Sequence, residues 1–278
     1  MRNVITIAAL TFHEARRRKI LFAAFLLGVG FLAVFAIAVA FTYRQMMANP
    51  RTTPARIPII MNYPVMAGLY AVNFLMVMTA ILAPIETLAG EITSGVIQSL
   101  AVKPVTRPEI LLGKWFGYLI ILALYVMLMA GGVLILARLI AGYTPPNVAA
   151  GLGLMFLEAT LLMTLSIAGG TRFATLTNGV VVLGLYGVAF IGGWMEQIGA
   201  LLGNTPARLT GIVASLLIPS EALWQLAAYL MQPPLAQDMT LTLFSPASVP
   251  SPNMVIWAAG YTIGFLALAL WSFSKRDL

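Results

Sequence analysis

The sequence predicts an all-α integral membrane protein: six transmembrane helices, an N-terminal interfacial helix, a cytoplasmic helical segment between spans 2 and 3, and outer half-helices between spans 5 and 6. Three observations carry this. Hydrophobic residues make up 60% of the chain and charged residues 9%, whereas soluble domains are about 25% charged; mean hydropathy is +0.94. Long charge-free stretches recur, each able to cross about 30 Å of hydrocarbon as a helix. The basic residues stand in short clusters beside those stretches, where topology places them.

That clustering makes the net charge of +7 a topological signal and sets nucleic acid aside as a partner, leaving membrane lipid as the implied surroundings. With no cysteine the chain has no disulfide or thiolate chemistry, and with His13 as its one histidine it has no multi-histidine metal centre.

Residues 1–19 put Val4, Ile7, Ala8, Phe12 and Ala15 on one helical face ahead of Arg16, Arg17, Arg18 and Lys19. Charge that follows the apolar part is not a secretory signal, and the pattern fits an interfacial helix. Residues 20–42 form the first span; its 14 Leu, Ile, Phe and Val residues favour insertion by roughly 4–8 kcal/mol. A polar, proline-bearing loop at 43–63 precedes the second span, 64–85. The third is 115–137, with Trp115 and Tyr118 at interfacial level. Residues 148–170 and 173–195 are the fourth and fifth, and 254–274 the sixth. Within 196–253, the apolar pieces 209–218 and 222–231 are each too short to cross alone. They read as two half-helices broken at Pro219, with Ser220 capping the second. One continuous seventh span would instead carry the C-terminus to the other side.

Six spans place both termini on one side. With the termini cytoplasmic, the inside holds eleven basic residues (Arg2, Arg16, Arg17, Arg18, Lys19, Lys103, Arg107, Lys114, Arg172, Lys275, Arg276) and the outside five (Arg44, Arg51, Arg56, Arg138, Arg208). The bias favours that orientation.

Residues 86–114, ETLAGEITSGVIQSLAVKPVTRPEILLGK, are the one connection with helical pattern on the inside. Ile92, Val96, Ile97 and Leu100 make an apolar stripe that Pro104 ends. Thr106 and Glu109 have capping-box spacing and Pro108 sits in the first turn of a second helix, which continues through Gly113 and Lys114 into span 3. A short amphipathic helix joined to spans at both ends suits the passage of force from a soluble partner. The same stripe also suits a helix lying in the lipid interface. Glu86 and Glu91 read as the inner end of span 2 rather than as an acid–base pair.

No phosphate-cradling loop is present: Gly113-Lys114 lacks both the upstream glycine and the following hydroxyl. There is no zinc motif and no serine with a histidine base. Catalytic, cofactor-binding and metal residues are therefore absent from the reading, and the chain is not expected to be an enzyme. Glu158 is the one acid inside a span. A central carboxylate costs about 2.5–3.5 kcal/mol, so that helix faces protein or water. Glu158 and Thr164 are the candidates for a pathway or gate, and an interhelical hydrogen bond is the structural alternative for Glu158.

Glu91-x-x-Ser94-Gly95-x-x-x-x-Leu100, then Lys103 to Arg107, then Ile110 to Lys114, resembles the signature of the type-2 ABC permease family, the membrane subunits of bacterial ATP-driven exporters. The resemblance runs the whole chain, to the basic ending at Phe273 to Asp277, and is nearest the branch with the permease of nitrous-oxide reductase copper maturation. Val96 and Gln98 depart from it, standing where a threonine and an acidic residue are common. The resemblance implies a coupling helix carrying Glu91, Gly95, Val96, Ile97, Leu100, Lys103 and Arg107. It also implies two copies of a separate ATPase that binds ATP and Mg, a second permease copy as homodimer partner, and a place in the bacterial inner membrane. An ion-coupled carrier using Glu158, and a non-transporting membrane anchor, are the competing expectations. The cargo is not written in the sequence.

Overall fold

The computed structural model describes residues 2–16, 19–49, 57–85, 90, 106–234 and 248–275. Among the described residues there are nine helices and no strand: α1 (Arg2–Arg16), α2 (Lys19–Ala48), α3 (Ile57–Leu82), α4 (Arg107–Ala141), α5 (Val148–Gly170), α6 (Thr175–Leu201), α7 (Thr205–Leu217), α8 (Ser220–Leu230) and α9 (Asn253–Ser274). The six longest, α2 to α6 and α9, are long and apolar enough to cross a membrane. The all-α membrane class is as the composition predicts.

Several helices outrun the hydropathy that defines their spans. α2 continues past residue 42 to Ala48, and α3 begins at Ile57 with Pro58 in its first turn and Pro64 inside it. The expected loop at 43–63 is therefore mostly helical. Helical hydrogen bonding does not stop where the apolar stretch stops, because the backbone prefers internal partners on either side of the interface. α5 has the ends expected of span 4.

α4 is unbroken over 35 residues, about 52 Å, so it overshoots the hydrocarbon by about 20 Å. Its start is fixed as the Thr106/Glu109 spacing predicts: Glu109 Oε2 accepts from the Thr106 backbone N–H at 3.0 Å and from its hydroxyl at 3.1 Å. Its end is closed by Gly142 at φ 64°, a left-handed cap whose N–H donates to Arg138 O. Beyond it the Tyr143 hydroxyl donates to Asn62 Oδ1 at 3.0 Å, and burial pushes that phenol up to about 12. It therefore stays a donor at every physiological pH.

α1 packs along the start of α4. A side chain at Gly113 would meet Ile7 and one at Gly117 would meet Thr11 and the Ala8 carbonyl, so two glycines one turn apart let the helices touch. Asn3 Nδ2 donates to both oxygens of Glu109, at 3.4 and 3.3 Å. Ala8, Thr11 and Ala15 are buried there, whereas Ile5 and Leu10 are exposed. The apolar face expected of residues 1–19 thus covers another helix.

α3 and α5 are the most buried of the six long helices, while α2 and α9 show most of their surface. Polar links join the helices near the α5–α6 turn: Ser166 Oγ donates to Ile81 O and Asn178 Nδ2 to Ser166 O, both at 2.8 Å, tying α3, α5 and α6.

Between α6 and α9 the chain makes a hairpin. α7 and α8 meet at 106°, with Ile218 and Pro219 at the bend. α7 returns along α6, where Gly192 abuts Ala214 and Gly211 faces the Gly192 carbonyl. α8 lies against α5, with Met231 against Gly151 and Asn147 Nδ2 donating to Leu230 O at 3.2 Å. A bend of this size is incompatible with one straight seventh span. Ser220 does not cap α8, contrary to the expectation above. It is the first helical residue, Pro219 holds the cap position, and its buried hydroxyl has no partner among the described residues.

Arg107 Nη1 donates to Ser274 O at 3.2 Å, and Thr171 and Arg172 both bond Ser272 Oγ. The start of α4, the α5–α6 turn and the end of α9 therefore meet at one end of the molecule, together with α1. Arg107, Arg172 and Lys275, three of the basic residues expected inside, stand at this end.

Candidate functional site

Near the middle of the bundle lies a buried polar cluster. Glu158 on α5 is fully buried, Asn73 on α3 nearly so, and Asn73 Nδ2 donates to Glu158 Oε1 at 3.4 Å. Glu158 stands ten residues into α5, about 15 Å from that helix end. Glu221, at the first turn of α8, is also buried and lies within electrostatic range of Glu158. The carbon side chain of Glu221 and the Gln225 amide fill the space in front of Gly193 on α6. A larger residue at 193 would push α8 away.

An aromatic wall closes the cluster. Tyr70 on α3 packs its ring against Trp224 of α8 at 5.6 Å and is hydrogen-bonded with Trp194 of α6. Tyr186 of α6 lies within electrostatic range of Glu158, Glu221 and Tyr70. Four helices, α3, α5, α6 and α8, thus converge on two carboxyl groups.

Four polar atoms of this region have no partner among the described residues: Asn73 Oδ1, Glu158 Oε2, Gln225 Oε1 and Ser220 Oγ. Buried polar atoms are nearly always satisfied, and each orphan costs about 1–3 kcal/mol. Their concentration beside two carboxyl groups makes the cluster rich in acceptors. Such a site suits a donor-bearing or cationic group. Among the described residues no three of His, Cys, Asp and Glu converge as a metal site would require.

The arrangement gives one stability test. Asn73→Leu with Glu158→Met replaces both partners by apolar side chains, and stability in detergent is expected to be unchanged or raised by up to roughly 4 kcal/mol. Glu158→Ala alone orphans Asn73 and should destabilise by roughly 1–3 kcal/mol. Thermal melts read both. A large loss in the double variant would mean that the cluster serves the fold.

The other residues singled out by sequence lie elsewhere. Thr164 turns toward α4: its hydroxyl donates to Thr160 O at 2.6 Å and accepts from Trp115 Nε1 at 2.9 Å. It joins α4 to α5, six residues beyond Glu158. Arg107 sits at the shared end, bonded to the last turn of α9. Glu86, Glu91, Gly95, Val96, Ile97, Leu100 and Lys103 lie outside the described residues.

Sequence reasoning found Glu158 but held that no second buried acid accompanied it; Glu221 and Glu196 correct this, both buried. Glu221 sat in the break between two apolar pieces, where an acid reads as part of an exposed turn. Its signal was the apolar character of the residues on either side.

A family model described as ABC-2 family transporter protein matches residues 5–278. No curated protein matches the chain.

Proposed function

This chain belongs to the ABC-2 family of transporter proteins, and from that premise we propose that it is the permease half of an ATP-driven exporter. The family makes it a multi-pass membrane component of an ABC transporter and implies an ATP-binding partner subunit. In our reading two copies of this chain form a homodimer in the bacterial inner membrane with both termini cytoplasmic. Each copy engages one copy of a separate ATPase, which binds the ATP and Mg. The contact is made by the helix around residues 91–101, with Glu91, Gly95, Val96, Ile97 and Leu100 on it and Lys103 and Arg107 flanking it. The branch that includes the permease of nitrous-oxide reductase copper maturation is the nearest within this reading.

The observation that carries the proposal is the anchoring of α4 where it leaves this segment. Thr106 and Glu109 fix the first turn, Asn3 ties Glu109 to α1, and Arg107 reaches the end of α9. Force arriving on residues 91–101 thus enters three helices at once. The cluster of Glu158 and Glu221 is the candidate pathway, being polar, central and built from four helices.

The test is purification of the tagged chain from native membranes in mild detergent. An ATPase is expected to co-purify at one copy per permease, with vanadate-sensitive hydrolysis. An intact permease dimer that yields no ATPase, under conditions preserving its thermal melt, would overturn the reading.

A further inference from the structure

At the end where α4, α5, α6 and α9 meet, the surface carries a feature that coupling to an ATPase does not use. Arg172, in the turn between α5 and α6, and Lys275, at the end of α9, flank the indole of Trp271. The Arg172 Cζ lies 6.0 Å and the Lys275 Nζ 4.4 Å from its ring centroid. Cations within about 6 Å of an indole are held by its quadrupole. Arg172 is fixed again by its Nε–H, which donates to Ser272 Oγ at 3.0 Å, and Ser272 is in turn bonded to Thr171. Its terminal N–H groups remain for a ligand. Among the described residues no carboxylate pairs with Arg172 or Lys275.

These residues border an open cavity of about 460 Å3. A second cavity of about 200 Å3 shares Thr171, Arg172 and Ser272 with it and continues between α5, α6 and α9. Behind the mouth the walls are mainly apolar, with Leu165, Phe173, Val182, Leu185, Phe265 and Leu268, and Asn178 is the one polar side chain among them. Two positive groups at the mouth and a hydrocarbon cleft behind them match an amphiphile with an anionic head. The half-exposed Trp271 is the residue type that marks headgroup level.

We propose that this end binds one anionic phospholipid per chain, its phosphate between Arg172 and Lys275 and one acyl chain in the cleft between α5, α6 and α9. The guanidinium fork offers paired N–H donors to the phosphate oxygens, and the ammonium adds a point charge. A zwitterionic lipid brings an amine for which the described site has no acid. A soluble phosphate would leave the apolar cleft empty. Basic pockets between transmembrane helices are a known means of retaining anionic lipid.

The experiment is native mass spectrometry of the complete chain in detergent, titrated with phosphatidylglycerol or phosphatidylcholine of identical acyl chains. One phosphatidylglycerol is expected to be retained per chain at least about tenfold more tightly than phosphatidylcholine. Arg172→Gln with Lys275→Gln should remove that preference, and Lys275→Gln alone, at an exposed helix end, should weaken it several-fold without disturbing the fold. Ala168→Phe, which fills the cleft, should weaken both lipids equally. Millimolar inorganic phosphate should displace neither. Equal retention of the two lipids by the unaltered chain, a preference that survives the charge substitutions, retention indifferent to Ala168→Phe, or displacement by phosphate alone would each overturn the proposal. None of these readings depends on the ATPase.

Discussion

Val96→Asp combined with Leu100→Asp is expected to abolish permease-stimulated ATP hydrolysis while the chain still inserts in the membrane at its usual level. Val96 and Leu100 share one face of the 91–101 stripe with Ile92 and Ile97. Burying a valine or leucine side chain contributes roughly 1.5–3 kcal/mol, so losing two costs about 3–6 kcal/mol before the carboxylates are counted. At 1.4 kcal/mol per decade this is a loss of two to four decades in affinity, and a carboxylate desolvated in an apolar groove adds to it. Insertion should be unaffected because neither residue lies in a span expected from hydropathy. Gln98→Asp, on the opposite face of the helix that the sequence pattern predicts, is the matched control and should leave hydrolysis within about twofold, since surface substitutions change little. Hydrolysis that survives the double substitution would refute the assignment of this helix.

Gly211→Leu should be the most damaging single substitution in the hairpin. A side chain at 211 would stand 2.5 Å from the Gly192 carbonyl oxygen and 2.6 Å from the Glu196 nitrogen. Those are backbone atoms of α6, which cannot rotate aside, so α7 must move away. Overpacking of this kind costs roughly 1–3 kcal/mol. Because α7 carries α8, the displacement also moves Glu221 from Glu158, and transport should fall more than the melting temperature alone suggests. Gly187→Leu on the same α6, where nothing lies within 4 Å, is the comparison and should shift stability by no more than about 0.5 kcal/mol. Equal melts for the two variants would show that the α6–α7 contact is looser than its geometry.

Much of the fold was legible because hydropathy alone locates a span. α5 begins and ends where the apolar stretch does, since Pro145, Pro146 and Asn147 precede it and a glycine pair closes it. The ends of α2, α3 and α6 were not legible. There the helix runs on through polar or proline-bearing sequence, and transfer free energy does not register a helix once it has left the hydrocarbon. The site divides in the same way. Glu158 stood out because a carboxylate inside an apolar run is costly wherever the helix packs. Asn73 becomes a member only when α3 packs on α5, and Glu221 only when α8 folds back against α5 and α6, tertiary events with no local signature. Thr164 was named with Glu158 as a pathway candidate, yet it is committed to Trp115 on α4. Spacing along a helix ranks neighbours but does not choose between partners.

The unbroken α4 touches a different helix at each stage of its length. Its contact with α1 at Gly113 and Gly117 lies six to ten residues from Arg107, about 9–15 Å along the axis, while Ala141 lies 24 residues beyond Gly117, about 36 Å away. Further along, the Tyr125 hydroxyl donates to Ala24 O of α2 and Gly132 abuts Leu32, and past Ala141 the Tyr143 hydroxyl reaches Asn62 of α3. A displacement at the Arg107 end is therefore expected to pass along one rod to α2 and α3 as well as to α1.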